Sequence, residues 1–123
     1  MVKKSNELPG IYFLDLKLIE DLVKYFPVRT YLAESDIIYK GHIPHAAYVL
    51  TEGTVQMAKK KAIVTLLPGA MLGARELFRN NIFRFNAKVA SGGKVIILDR
   101  SSLNEAIDHQ HEAIRNSFLA AVK

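Results

Sequence analysis

The sequence contains no cysteine. That absence removes disulfide bridges, thiolate nucleophiles and cysteine-held metal together, and it agrees with a cytoplasmic protein without requiring one. Long apolar runs are missing too: none approaches the roughly 18–20 residues needed to cross a bilayer. The opening segment, residues 1–7, has no apolar core of the kind a secretory signal carries, so no membrane association is expected. There is no Gly-x-Ser-x-Gly or other placed nucleophile, and Asp36 and the scattered glutamates form no recognisable acid–base pair. No catalytic set can be named, and the chain is expected not to be an enzyme. His42 with His45, and His109 with His111, lack the i, i+4 spacing and the nearby carboxylates of a zinc site. They read as surface loop and helix histidines, and no metal is expected. Internal repeats and low-complexity tracts are absent.

What remains is the composition of an ordinary folded domain. The 123 residues are 50% hydrophobic and 24% charged, enough for one domain that buries about two-thirds of its unfolded surface. The formal net charge is +5. Such charge attracts acidic proteins, phosphate and nucleic acid without selectivity. The basic residues are spread along the chain, however, and ordinary solvation accounts for them. The densest run, Lys59-Lys60-Lys61, falls where a hairpin tip is expected.

Residues 1–10, polar and closing on Pro9-Gly10, read as a loose lead-in to a single domain over residues 1–123. Asp15 is a plausible cap for a helix running to Phe26, with Ile19, Leu22, Val23 and Phe26 on one stripe and Pro27 as the stop. From Val28 to Asp99 the texture changes to short β-type runs: Val28–Leu32, Asp36–Tyr39, Ala47–Leu50, Thr54–Ala58, Ile63–Leu67, Asn86–Ser91 and Val95–Asp99. Gly92-Gly93 suits a two-residue hairpin turn. Residues 74–78 interrupt the pattern with helix formers. Ser102-Leu103-Asn104-Glu105 has the form of a capping box. The apolar face after it runs through Leu103, Ala106, Ile107, Ile114, Phe118 and Val122, with a break near His109.

Several motifs together resemble the cyclic-nucleotide-binding domain family of catabolite activator proteins and protein kinase A regulatory subunits. Asp36-Ile37-Ile38-Tyr39-Lys40-Gly41 is similar to its early strand and glycine turn. Tyr48 to Val55 fits Tyr-x-Leu-x-x-Gly-x-Val, and Leu66 to Gly73 is similar to the Leu-x-Pro-Gly-x-x-Phe-Gly that opens its phosphate-binding cassette. Ala87-Lys88-Val89-Ala90 and the helices after Asp99 resemble its closing strand and last helices. Gly41, Gly53 and Gly69 stand at the turns such a fold needs. The resemblance implies a mainly β, cupin-like double-stranded β-roll (jelly roll) with a short internal phosphate-cassette helix, an N-terminal helix and C-terminal helices.

It also implies a function: a regulatory, signal-transducing sensor whose ligand is a cyclic nucleotide such as cAMP, with no further cofactor. The ligand would sit at the cassette, at Leu72, Gly73, Ala74 and Arg75, with an arginine from the following strand on the phosphate. The family's ribose-binding glutamate falls on Ala74, which has no acceptor. Glu76, roughly 200° further round a helix, is expected to point away. The phosphate arginine falls on Arg84 by one alignment, whereas another puts Phe85 there. Alternation favours Phe85, Ala87 and Val89 inward and Arg84 outward, because a one-residue slip reverses the faces. Two functions stay open: a degenerate sensor binding a small anion or a cyclic nucleotide in an altered pose, and a ligand-free interaction module. Ile114, Phe118 and Val122 mark a helix for a protein partner or homodimer, or for packing onto the roll. The family's DNA-binding helices lie in a further domain of about 60–80 residues, so no nucleic-acid binding is expected of these residues alone.

Overall fold

A computed structural model describes residues 11–123 in full and residues 2–4 by their backbone. The lead-in thus contains a short strand, β1 (Val2–Lys4), and the remainder, with Pro9-Gly10, lies outside the described residues. β2 (Tyr12–Leu14) pairs with β1 and leads into α1 (Leu16–Leu22). Asp15 caps that helix, its side chain accepting from the Leu18 N–H at 2.9 Å. The helix ends four residues short of Phe26. Proline disfavours helical backbone in the residue before it, and the chain unwinds towards Pro27 through a turn in which the Phe26 N–H still donates to Leu22 O at 2.9 Å.

Eight strands follow among the described residues: β3 (Val28–Thr30), β4 (Ser35–Ile38), β5 (Ala46–Glu52), β6 (Val55–Lys59), β7 (Ala62–Leu66), β8 (Ala70–Leu72), β9 (Asn86–Val89) and β10 (Lys94–Asp99). They build two antiparallel sheets, one in the order β1-β2-β8-β5-β10-β3 and the other β4-β9-β6-β7. Helix α2 (Ala74–Arg79) interrupts the strands, and α3 (Arg100–Ile107) and α4 (Glu112–Val122) close the chain. This is the expected β-roll with flanking helices.

Three local expectations change. β8 was not apparent because Ala-Met-Leu carries no β signal. It forms by pairing on both edges, Met71 opposite Tyr12 and Leu72 opposite Tyr48. Gly92-Gly93 is a turn but not a hairpin: β9 lies in one sheet and β10 in the other, so the glycines carry the chain between sheets. The cap of α3 is Asp99, accepting from the Ser102 N–H at 2.8 Å, rather than Ser102. The lysine run does form the β6–β7 hairpin tip, with Lys60 at φ 56°.

Alternation along the strands builds two cores. Ala47 and Val49 of β5, Met71 of β8, and Ile96 and Leu98 of β10 face the helices. Leu50, Ala70, Leu72 and Val95 face the space between the sheets. Helix α4 covers the first set. Ile114, Phe118 and Val122, the expected partner stripe, are all buried in this core at 0%, 0% and 4% exposure. A fully buried phenylalanine contributes about 1.5–3 kcal/mol, so this stripe is spent on the chain's own stability. No helix among the described residues is long and apolar enough to cross a membrane.

Candidate functional site

The cassette begins at Gly69, whose φ of 104° and place against Leu14 O exclude a side chain. Gly69 N–H donates to Leu50 O and its carbonyl accepts from Leu14 N–H, both at 2.8 Å, so the loop is stitched between β5 and β2. Gly41 and Gly53, at φ 86° each, make the other two expected turns. Gly73, at φ 81°, starts α2 and lies against the ring of Phe83, which a Cβ would approach to 2.9 Å.

That contact decides where open space exists. Phe83 and Phe85 are buried side chains of the core between the sheets, their ring centroids 6.1 Å apart. Phe85, Ala87 and Val89 point inward, as alternation predicts, while Arg84 and Asn86 are exposed. Leu72 and Ala74 are covered at 0% and 1% exposure, Ala74 on the helix side of the fold among α3 and α4 residues. Of the five expected cassette contacts, Leu72, Gly73 and Ala74 are therefore enclosed. Arg75 and Arg84 reach open space.

They reach the same space. A cavity of about 240 Å³ lies beside α2, lined by Arg75, Glu76 and Arg79 from the helix, Arg84 and Phe85 from the approach to β9, and Lys59 from the hairpin. Glu76 was expected to point away. It does point away from Ala74, but the cavity is on that opposite side of the helix. One Glu76 carboxyl oxygen is buried without a hydrogen-bond partner among the described residues. Burial holds the Glu76 carboxyl above the usual carboxylate range, against the opposing pull of its own backbone N–H and of the Arg75 and Lys59 charges. A buried acceptor left unpaired costs about 1–3 kcal/mol. Such a group suits a ligand that brings a donor.

A second cavity of about 400 Å³ adjoins the first. It shares Lys59, Ile82 and Arg84 with it and adds Lys40, Gly41, Lys60 and Phe83. Its wall is fixed by backbone: Gly41 N–H donates to Phe83 O at 2.7 Å, and Phe83 N–H to His42 O at 3.0 Å. Among the described residues, none of Lys40, Lys59, Lys60, Arg75, Arg79 and Arg84 forms an ion pair. At the far end of α2, Leu77 O accepts from the Arg100 guanidinium at 2.9 Å, joining the cassette helix to the first residue of α3.

Sequence reasoning did not foresee Lys59 and Glu76 in the lining of this cavity. Lys59 is brought to the cassette only by the fold of the hairpin, which no local pattern records. Glu76 points away from Ala74, as expected, and that side of α2 is the one the cavity occupies. His42 and His45 are exposed, as expected, and His109 differs. His109 is buried, its Nδ1 accepting from the His111 N–H at 3.0 Å and its ring 4.5 Å from that of Tyr25. No group of three or more potential metal ligands occurs among the described residues. A further cavity, about 600 Å³ between α1 and α4, mixes Asp15, Lys17, Asp21 and His111 with Leu18 and small residues. Asp21 there is already engaged, by Lys24 at 3.7 Å and His111 at 3.6 Å.

Comparison with known proteins agrees with the architecture. The family model of the cyclic nucleotide-binding domain matches residues 28–110. No curated protein sequence matches the chain. Among solved structures, the catabolite activator protein of Thermus thermophilus aligns with 21% identity and a TM-score of 0.66 over 89% of this chain and 53% of that protein. This chain thus spans about half the length of that relative. A bacterial structure from work on a cyclic-GMP-dependent pathway regulating phytopathogenesis aligns with 14% identity and a TM-score of 0.73, over 88% of this chain and 89% of the other. The cAMP-bound PfPKA-R structure aligns with 18% identity and a TM-score of 0.62, over 87% and 42%. At these identities the solved structures speak for the fold alone.

Proposed function

We propose that this chain, which belongs to the cyclic nucleotide-binding domain family, is a non-catalytic cytoplasmic regulatory domain that takes a small phosphorylated ligand on the outer side of its cassette helix. One observation carries the proposal: four cations without ion-pair partners among the described residues share a cavity with one carboxyl whose buried oxygen has no donor. Arg84 and Arg75 supply charge-assisted hydrogen bonds to a phosphate, with Arg79 and Lys59 adding to the field. Glu76 accepts from a hydroxyl on the same ligand. A cyclic nucleotide offers both groups, and it is held here in a pose displaced from the one implied by the family's cassette, because Ala74 and Leu72 are enclosed.

Calorimetric titration with cyclic AMP and cyclic GMP tests this. The expected result is a saturable one-site isotherm that weakens roughly ten- to hundredfold in Arg84→Ala, the loss of one charge-assisted contact. Absence of heat with both ligands up to millimolar concentration would overturn it.

A specific observation favours a second function, that of a ligand-free interaction module. Phe83 and Phe85 occupy the space between the sheets at 5% and 3% exposure and close on Gly73. In that case Arg84→Ala would change nothing in solution. A partner would have to use side chains other than Ile114, Phe118 and Val122, which the core already holds.

A further inference from the structure

The two basic cavities adjoin one another. They share Lys59, Ile82 and Arg84. One end carries Arg75 and Arg79 beside Glu76, and the other carries Lys40 and Lys60. We infer that the ligand is a nucleotide-sized molecule with two separated anionic groups, one seated in each cavity, with Lys59 and Arg84 between them; this rests on the anion-binding function proposed above.

The charge count supports a second anion. A single phosphate carries at most two negative charges, and the cavity beside α2 meets it with four cations and one carboxyl. The adjoining cavity adds Lys40 and Lys60 and no acidic side chain. Like charges held this close repel one another, which costs stability unless something neutralises them. The fold nonetheless fixes them there. Lys40 lies in the turn locked by the Gly41–Phe83 hydrogen bond, and its own N–H donates to Asn86 Oδ1 at 2.9 Å. Lys60 stands at the hairpin tip in left-handed backbone, φ 56°. Both cavities are concave, which suits a small ligand rather than the flat track of a polymer.

The test compares cyclic AMP, with one phosphate, against adenosine 3′,5′-bisphosphate, with two, on the full chain by calorimetry. The bisphosphate is expected to bind roughly tenfold tighter, the gain from two exposed lysine contacts. That gain should vanish in Lys40→Gln/Lys60→Gln while cyclic AMP affinity stays unchanged. It should survive in Lys24→Gln/Lys123→Gln, which removes the same charge from positions lining neither cavity. Equal affinity for the two ligands would overturn the second anionic site and leave the proposed function standing. Loss of the gain in both double variants would reduce it to net charge and overturn it likewise. A short single-stranded DNA that outcompetes the bisphosphate, and does so through Lys40 and Lys60, would replace the small ligand by a nucleic acid. No binding of either nucleotide would overturn both this inference and the proposed function.

Discussion

The two sides of α2 have opposite chemistry. Ala74 and Leu77 enter the helix-side core at 1% exposure each, packed among residues of α1, α3 and α4. Arg75, Glu76 and Arg79, one or two positions away, line a cavity rich in cations. A six-residue helix thus serves as part of the hydrophobic core and as the wall of a polar site. Gly69 and Gly73 hold the cassette backbone, and the aromatic rings of Phe83 and Phe85 close the inner side and leave the outer one accessible.

Ala74 stands where the family resemblance implies a glutamate. Ala74→Glu is expected to destabilise the fold by about 3–5 kcal/mol, because the carboxylate would enter an apolar core with no partner. Denaturant unfolding measures the loss. A stable variant with tighter cyclic AMP binding would mean that Ala74 faces the ligand after all.

Gly73→Ala probes the junction between the two sides. Its φ of 81° and the Phe83 ring both oppose a methyl group, so a loss of about 1–3 kcal/mol is expected. Phe83→Leu in the same chain should recover part of it, since the ring clash is relieved and the backbone strain is not. Full additivity of the two changes would separate Phe83 from the cassette.

The smallest expected effect is the most discriminating. Burial raises the Glu76 carboxyl above its unfolded value. The folded state therefore holds that proton more tightly than the unfolded state, and stability falls as pH rises from the unfolded pKa through the folded one. Glu76→Gln should raise the thermal midpoint at neutral pH, and the advantage should disappear below the ordinary carboxylate range, where both states are protonated. The same substitution should weaken cyclic AMP binding. Gain of stability with loss of affinity marks a residue kept for a ligand, whereas loss of both would make Glu76 structural.

Much of the fold was legible because its signals are local. The Tyr48–Val55 pattern, the Pro68-Gly69 turn and the Pro27 stop each act within a few residues. β8 and the sheet crossing at Gly92-Gly93 were not legible, because both depend on which strands become neighbours. The site divides the same way. Arg75 and Arg84 could be named from the resemblance to the cassette, and alternation placed Arg84 outward, where it is exposed. Lys59 arrives from a hairpin, and the side of α2 facing solvent is settled by Phe83, which lies ten residues beyond Gly73.

The hydrogen bond from Arg100 to Leu77 O couples two elements that the sequence separates by strands β9 and β10. It ties the last turn of the cassette helix to the start of the C-terminal helices, and a bond from a charged donor contributes about 1.5–3 kcal/mol. A ligand with no preference for a displaced α2 would fill the cavity and leave α3 in place, however tight the complex. A movement of α2 away from α3 would have to give up this guanidinium contact as well as the packing of Ala74 and Leu77 in the core, so filling the cavity and moving the C-terminal helices would be separate quantities.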